Sequence, residues 1–196
     1  MAHYIVTGSS GFIASHTCES LLLSGHTITG IDNMNDAYDV RMKEYRLKKL
    51  KQYPNFIYSN VEITDLNNLI KVINSKYDGI INLGARAGVR ASADNPFIYY
   101  DTNVIGTLNL LEISKKHEIP KFVLASTSSV YGSVNSIPYS ENDLTDFPLS
   151  QYAASKKAAE NLTHTYHNLY DLDVTILRYF TVYGPAGRPD MSVMRF

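Results

Sequence analysis

Gly8-Ser9-Ser10-Gly11-Phe12-Ile13-Ala14 separates a short β-rich run, His3–Thr7, from an apolar helical pattern. In a strand, turn and helix of this kind, Gly8 permits the tight turn and Gly11 lets the backbone approach a pyrophosphate. The small side chain of Ala14 lets the helix pack close to the strand. The free N–H groups at the start of the helix suit a phosphate. The spacing therefore predicts a dinucleotide-binding turn, although a glycine-rich turn alone is weak evidence.

The second predicted strand ends in Asp32, which follows Gly11 by 21 residues. A carboxylate at this point can accept hydrogen bonds from the ribose hydroxyls of NAD and would repel the 2′-phosphate of NADP. The alternative for Asp32 is an ordinary helix cap or turn residue. With the glycine turn upstream, the sequence favours NAD as the cofactor.

Strands and helices alternate along the whole chain, which is typical of a doubly wound parallel sheet with helices on both faces. Right-handed crossovers then give the strand order 3-2-1-4-5-6. We therefore predict an α/β Rossmann domain over residues 1–196. The strands are expected at 3–7, 27–31, 56–59, 79–83, 122–125 and 174–180, and the longer helices at 41–52, 65–76, 96–116 and 149–170.

The composition is that of an ordinary globular protein, with 44% hydrophobic and 19% charged residues and a net charge of -1. It lacks the basic excess of a nucleic-acid-binding surface, and no apolar run reaches the length of a membrane span. The first strand begins close to Met1 without a basic and apolar leader, which predicts a cytoplasmic protein. Cys18 is the only cysteine, so we expect a buried inert thiol and no disulfide. We expect no metal site.

Tyr152 and Lys156 lie four residues apart in a predicted helix. Positions i and i+4 share one helix face, so both side chains can reach the same point in a cleft. An ammonium beside a phenol favours the phenolate and lowers its pKa from about 10 towards neutrality. Tyr152 would then be a general base for an alcohol hydroxyl. Because this spacing also arises by chance in many helices, the pair is informative only together with the cofactor motif.

Further polar residues follow predicted strands at the end where open parallel sheets bind ligands. Arg86 and Arg90 follow the fourth strand and are either ligand contacts or solvated surface residues. Four hydroxyl residues, 126–129, follow the fifth strand and either donate to a sugar oxygen or carboxylate or form a serine-rich turn. Asn103, a polar residue among apolar neighbours, either faces the cofactor or is a satisfied core group.

Taken in order, these motifs resemble the extended short-chain dehydrogenase/reductase family. In finer detail, segments 32–39, 87–90 and 180–191 look like those of the UDP-glucuronate 4-epimerases in that family. Ser128 and Ser129 stand where nucleotide-sugar 4,6-dehydratases usually carry an Asp-Glu pair. The markers are Thr7-Gly8-x-x-Gly11-Phe12-Ile13, Asp32-Asn33, Asn103, the hydroxyl strand 126–132, Tyr152-x-x-x-Lys156 and Arg178-Tyr179-Phe180.

The resemblance implies an NAD-dependent nucleotide-sugar 4-epimerase that interconverts UDP-glucuronate and UDP-galacturonate through a 4-keto intermediate. Tyr152 would take the proton of the C4 hydroxyl, Thr127 would hydrogen-bond the reacting oxygen, and Lys156 would hold the nicotinamide ribose. The implied cofactor contacts are Gly8, Gly11, Phe12, Ile13, Asp32, Asn33, Lys43, Glu62, Ile63, Leu83, Ala85, Asn103, Tyr152, Lys156 and Tyr179. The implied substrate contacts are Arg90, Thr127, Ser128, Ser129, Thr181 and Arg188.

The resemblance also implies that most of a C-terminal substrate domain lies beyond this chain, and that a homodimer forms through a four-helix seam of helices 95–116 and 149–170. Two alternatives stay open. The first is another NAD-dependent epimerase or a decarboxylase of the same fold, which the product would distinguish. The second is an NAD-binding module without turnover, for which Tyr152→Phe would change nothing.

Overall fold

A six-stranded sheet forms the centre of the computed structural model, which describes residues 1–188. All five pairs of neighbouring strands are parallel, in the order β3-β2-β1-β4-β5-β6. This order confirms the predicted doubly wound Rossmann fold. The strands are β1 (His3–Thr7), β2 (Thr27–Ile31), β3 (Phe56–Ser59), β4 (Gly79–Asn82), β5 (Lys121–Thr127) and β6 (Asp173–Tyr179).

Polar side chains cap the N-termini of three helices, α2, α3 and α7. Asp39 accepts a hydrogen bond from the N–H of Arg41, and Ser150 accepts one from the N–H of Ala153, so both satisfy first-turn donors. The seven helices of residues 1–188 are α1 (Phe12–Leu23), α2 (Val40–Leu50), α3 (Leu66–Val72), α4 (Ala91–Asp94), α5 (Phe97–Tyr100), α6 (Gly106–Lys116) and α7 (Gln151–Tyr170). None of these helices is long and apolar enough to cross a membrane.

Two helix predictions need correction. The helix expected over 65–76 ends at Val72, because Ile73 leaves helical dihedral angles. The helix expected over 96–116 is interrupted by a π-helical turn, Asp101–Ile105, between α5 and α6. Within it, the carbonyl of Asn103 accepts a hydrogen bond of 2.7 Å from the Thr107 hydroxyl. Such turns are rare in proteins, and those that occur often lie at functional sites.

The hydrophobic core lies on both faces of the sheet, and β1 contributes to each. Successive side chains of a strand point to opposite faces. Ile5 accordingly packs in the cluster that includes Leu110 and Phe122, and Val6 packs against α1 at Cys18. Burial raises the pKa of the Cys18 thiol to about 12, which confirms the predicted inert cysteine. Both faces of the sheet are therefore buried at β1, where a ligand can reach the sheet only at the ends of the strands.

The strand order reverses between β1 and β4, which creates a crevice at their carboxyl ends. Gly8, directly after β1, has a φ of +66°, and a Cβ there would lie 2.9 Å from the backbone of Gly84. Only glycine therefore allows the two loops to touch. This close approach fixes the floor of the crevice.

Candidate functional site

A cavity of about 450 Å³ lies over the carboxyl ends of the strands. Its size is that of a small-molecule or cofactor site. Its wall contains most of the residues predicted from the sequence. These are Gly8, Gly11, Phe12, Ile13, Asp32, Asn33, Lys43, Glu62, Ile63, Leu83, Ala85, Thr127, Ser128, Ser129, Tyr152, Lys156, Tyr179, Thr181 and Arg188.

The glycine turn offers backbone donors to this cavity. The N–H of Gly11 donates to the Gly8 carbonyl over 2.7 Å, and Gly11 then begins α1 without a capping side chain. A Cβ on Gly11 would lie 2.8 Å from the Gly8 carbonyl oxygen. The first-turn N–H groups of α1 therefore remain available to an anion, and this cradle fits a diphosphate.

Asp32 and Lys43 form a buried ion pair on the cavity wall, with 3.5 Å between Oδ1 and Nζ. The carboxylate also accepts hydrogen bonds from the N–H groups of Ser10 (3.0 Å) and Met34 (2.8 Å). Burial lowers the pKa of the Lys43 ammonium, and the charge of Asp32 opposes that change. The pair presents both an acceptor and a donor, which suits vicinal hydroxyl groups such as those of a ribose.

Tyr152, Lys156 and Thr127 also line the cavity, and Tyr152 forms a hydrogen bond with Thr127. Burial lowers the pKa of the Lys156 ammonium to about 8, and Glu160 opposes that change. Burial raises the pKa of the Tyr152 phenol, against smaller lowering effects of a hydrogen bond with Thr127 and the charge of Arg188. The expectation that Lys156 lowers the pKa of Tyr152 is wrong for this structure, because burial has the largest effect on the phenol and the effects that oppose it come from Thr127 and Arg188.

Hydroxyl groups and one arginine gather beside Tyr152. Thr127 ends β5 and caps a short 3₁₀ turn, Ser128–Tyr131, by accepting a hydrogen bond of 3.2 Å from the N–H of Ser129. The turn brings Ser128 and Ser129 to the cavity wall, and the loop after β6 adds Thr181 and Arg188. Four neutral donors and one cation in this arrangement can bind a carboxylate.

Two predicted site residues do not reach the cavity wall. Asn103 is buried behind it, where its amide exchanges hydrogen bonds with the backbone of Arg86 (2.8 and 3.0 Å) and donates to Ser155 (2.9 Å). Its amide is thus used to hold the loop after β4 against α7. Arg90 is exposed next to α4 and is absent from the wall. The remaining part of the last predicted motif, 189–191, lies outside the described residues.

Residues 4–196 match the family described as the NAD dependent epimerase/dehydratase family. The chain belongs to this family. Its membership confirms the resemblance to nucleotide-sugar epimerases that the motifs indicated.

Relatives in the family include UDP-glucuronate 4-epimerases. The chain is 53% identical to the UDP-glucuronate 4-epimerase of Thermodesulfobacterium geofontis, over 100% of this chain and 61% of that protein. It is 44% identical to UDP-glucuronate 4-epimerase 2 of Arabidopsis thaliana, over 98% of this chain and 44% of that protein. A crystal structure of the Bacillus cereus UDP-glucuronic acid 4-epimerase, in complex with UDP-glucuronic acid and NAD, matches with a TM-score of 0.89. That match is 38% identical and covers 98% of this chain and 61% of the other. The chain therefore spans about three fifths, or less, of these relatives.

In this member of the epimerase/dehydratase family, several wall residues were not predicted. Asn35 accepts hydrogen bonds from Lys43 (3.1 Å) and Arg86 (3.2 Å), so it joins two cations beside Asp32. Tyr38 also lines the cavity. Both belong to segment 32–39, in which the sequence motifs indicate cofactor contacts only for Asp32 and Asn33. Residues 1–188 contain no cluster of His, Cys, Asp or Glu side chains that could hold a metal ion.

Proposed function

We propose that this chain is the NAD-binding part, residues 1–196, of an NAD-dependent UDP-glucuronate 4-epimerase. The observation that carries the proposal is the convergence in one cavity of Tyr152 and Lys156 with the carboxylate-binding group of hydroxyls and Arg188. The similarity to UDP-glucuronate 4-epimerases over the full chain supports the same substrate. The reaction interconverts UDP-glucuronate and UDP-galacturonate.

The residues on the wall fit NAD. The glycine turn would hold the diphosphate, Asp32 and Lys43 the adenosine ribose, and Glu62 and Ile63 the adenine. Lys156 would hold the nicotinamide ribose. Bound NAD supplies a hydride acceptor and donor and, when oxidised, a positive charge.

Tyr152 would take the proton of the C4 hydroxyl as hydride leaves C4, while Thr127 hydrogen-bonds the same oxygen. Burial raises the pKa of Tyr152, so the phenolate has to be favoured by positive charge in the loaded site. Arg188 already acts in that direction. When hydride returns to the opposite face of the 4-keto sugar, Tyr152 would return the proton to the C4 oxygen.

The group of Ser128, Ser129, Thr181 and Arg188 would hold the substrate carboxylate. The 4-keto intermediate is a β-keto acid, which loses CO₂ readily when its carboxylate stands perpendicular to the carbonyl plane. Charge-assisted hydrogen bonds can keep the carboxylate in an unreactive orientation. An epimerase needs this restraint, whereas a decarboxylase needs its opposite.

Proton NMR of UDP-glucuronate incubated with the chain and NAD tests the proposal. We expect UDP-galacturonate to appear and Tyr152→Phe to abolish it. Appearance of a UDP-pentose would instead favour a decarboxylase. The second candidate is an NAD-binding module without turnover. NAD binding without any product would overturn the epimerase reading for this chain in favour of that module.

The proposal includes two further features. A homodimer would form through a seam of α5, α6 and α7, and the protein would act in the cytoplasm, where nucleotide sugars are available.

A further inference from the structure

Arg46 on α2 is a buried arginine that joins three separate segments. The residue is only 3% exposed to solvent. The guanidinium donates to the Ala186 carbonyl over 2.6 and 3.1 Å and to the Gly187 carbonyl over 3.2 Å. It also donates to the carbonyl of Ser10 in the glycine turn (3.3 Å) and to the hydroxyl of Tyr38 (2.8 Å). Arg46 therefore connects the predicted cofactor turn to the loop that contains Arg188.

Tyr38 lies among three cations. The ring centroid is 5.6 Å from Lys43 Nζ, 5.6 Å from Arg46 Cζ and 6.0 Å from Arg188 Cζ. The faces of aromatic rings attract cations at such distances. Tyr38 thus contacts Arg188 with its ring and receives the hydrogen bond of Arg46 with its hydroxyl.

The loop before Arg188 has a bend that depends on outside contacts. Ala186 has a φ of +54°, a left-handed conformation that an alanine keeps only where the surroundings hold it. The Gly187 N–H donates to the Gly184 carbonyl across this bend (3.1 Å), and Arg46 adds two hydrogen bonds to the Ala186 carbonyl from outside the loop. Arg188 follows this bend by two residues and contacts the ring of Tyr38, so Arg46 and Tyr38 both contact the segment that carries its guanidinium.

We propose that Arg46 and Tyr38 are positioning residues that make the cavity specific for a nucleotide sugar bearing a carboxylate, because they hold Arg188 in place. This inference rests on the proposed function. It also gives a physical reason for two distant motifs to occur together. Segments 32–39 and 180–191 both resemble those of UDP-glucuronate 4-epimerases, and their members Tyr38 and Arg188 are in contact.

The test compares dissociation constants for UDP-glucuronate and UDP-glucose, which lacks the carboxylate, measured by calorimetry on the NAD-saturated chain. The ratio of the two constants reports recognition of the carboxylate and is insensitive to a general loss of stability. We expect Arg188→Ala to lower the preference for UDP-glucuronate about tenfold, as for one lost charge-assisted hydrogen bond. Arg46→Gln should lower it by a similar factor, and Arg46→Lys by less.

Non-additivity distinguishes positioning from direct binding. In the Arg188→Ala background, Arg46→Gln should change the preference less than about twofold, because its effect passes through Arg188. Tyr38→Phe removes only the hydroxyl that Arg46 binds and should lower the preference about threefold. Arg41→Gln is the matched control, since it removes the same charge from the same helix at a side chain that is 86% exposed.

Several outcomes would overturn the inference. Arg46→Gln could weaken the binding of UDP-glucuronate and UDP-glucose equally. It could lower the preference by its full factor even in the Arg188→Ala background. It could also lower only the midpoint of urea unfolding and leave the preference unchanged. Tyr38→Phe, which is least liable to disturb folding, would then leave the preference unchanged. A parent chain that binds neither sugar nucleotide, or binds both equally, would instead contradict the proposed function itself, so the two failures are distinguishable.

Discussion

Lys156 is a cationic residue buried inside the protein, with only 2% of its surface exposed. Burial disfavours its charged form and lowers its pKa to about 8, although Glu160 acts in the opposite direction. The ammonium therefore costs folding free energy at neutral pH. Such a cost at one position is typical of residues kept for a site rather than for stability.

Lys156→Met should remove this cost and its pH dependence. The folded-state pKa of about 8 lies below the ordinary value of 10.5. Between these values the unfolded state binds the extra proton, so the free energy of unfolding of the parent rises with pH. Below pH 8 the full cost is present. We expect the advantage of Lys156→Met, about 3 kcal/mol at pH 7, to shrink as the pH approaches 10.5.

Urea unfolding of both proteins at several pH values between 7 and 10.5 checks this expectation. The difference between the two curves isolates Lys156 from the tyrosines and other lysines that titrate in the same range. Parallel stability curves for parent and variant would show that burial does not perturb Lys156.

At the scale of elements, a buried ion pair fastens α7 to β6. Arg178 donates to both carboxylate oxygens of Glu160, over 2.9 and 3.0 Å, and the side chains are 18% and 5% exposed. Ser126 of β5 also donates to Glu160. Arg178 further donates to the carbonyl of Glu141 (3.2 Å), so one residue holds the helix, the strand and the long loop before α7.

Glu160→Gln should therefore destabilise the protein by about 3 kcal/mol, because it leaves the Arg178 cation without its buried counterion. Asp173→Asn is the matched control, because Asp173 forms its ion pair on β6, the strand that also carries Arg178. Its ion pair with Lys121 is about 60% exposed on both sides, and we expect a loss below about 1 kcal/mol. Urea unfolding at pH 7 measures both, and equal losses would contradict the assignment of the Glu160 pair as the one that fastens the elements.

Local sequence pattern predicted those elements whose causes are local. The glycine turn and the strands follow from residue types at short spacing, as Gly8 and Gly11 show. The π-helical turn at Asp101–Ile105 was missed because helical periodicity is similar on either side of it. The role of Arg46 was missed for a different reason, since its acceptor at Ala186 lies 140 residues away in the sequence.

In the site, too, the sequence motifs predicted which residues come together but not the properties that depend on packing. Motifs placed Tyr152 and Lys156 in one cavity with Thr127, as the structure bears out. The direction of the Tyr152 pKa shift was predicted wrongly, because burial is a property of the packed structure and not of the spacing between two residues. Asn103 was a recognisable marker, but its hydrogen bonds with the Arg86 backbone could be known only from the fold.

At the scale of the whole molecule, α5, α6 and α7 pack together and leave apolar side chains uncovered. Phe97, Tyr100 and Ile105 are exposed along α5 and the π-helical turn. Tyr100 donates to Gln151 of α7 over 2.9 Å, which places the two helices side by side. An apolar surface on adjacent helices of one protomer is what a self-complementary four-helix seam requires. This is the surface through which the proposed homodimer would form.

Ile105→Lys should disrupt this dimer. Ile105 is 45% exposed in the monomer, and a lysine there would place a charge on the apolar surface of the proposed seam in each protomer. We expect a loss of about 3 kcal/mol of association free energy, or about a hundredfold in the dissociation constant. Leu23→Lys is the control, because Leu23 is 71% exposed on α1, away from the seam. Sedimentation equilibrium should give twice the chain mass of 22.0 kDa for the parent and the control, and 22.0 kDa for Ile105→Lys. A parent that sediments as a monomer at every concentration would show that this apolar surface serves something other than self-association.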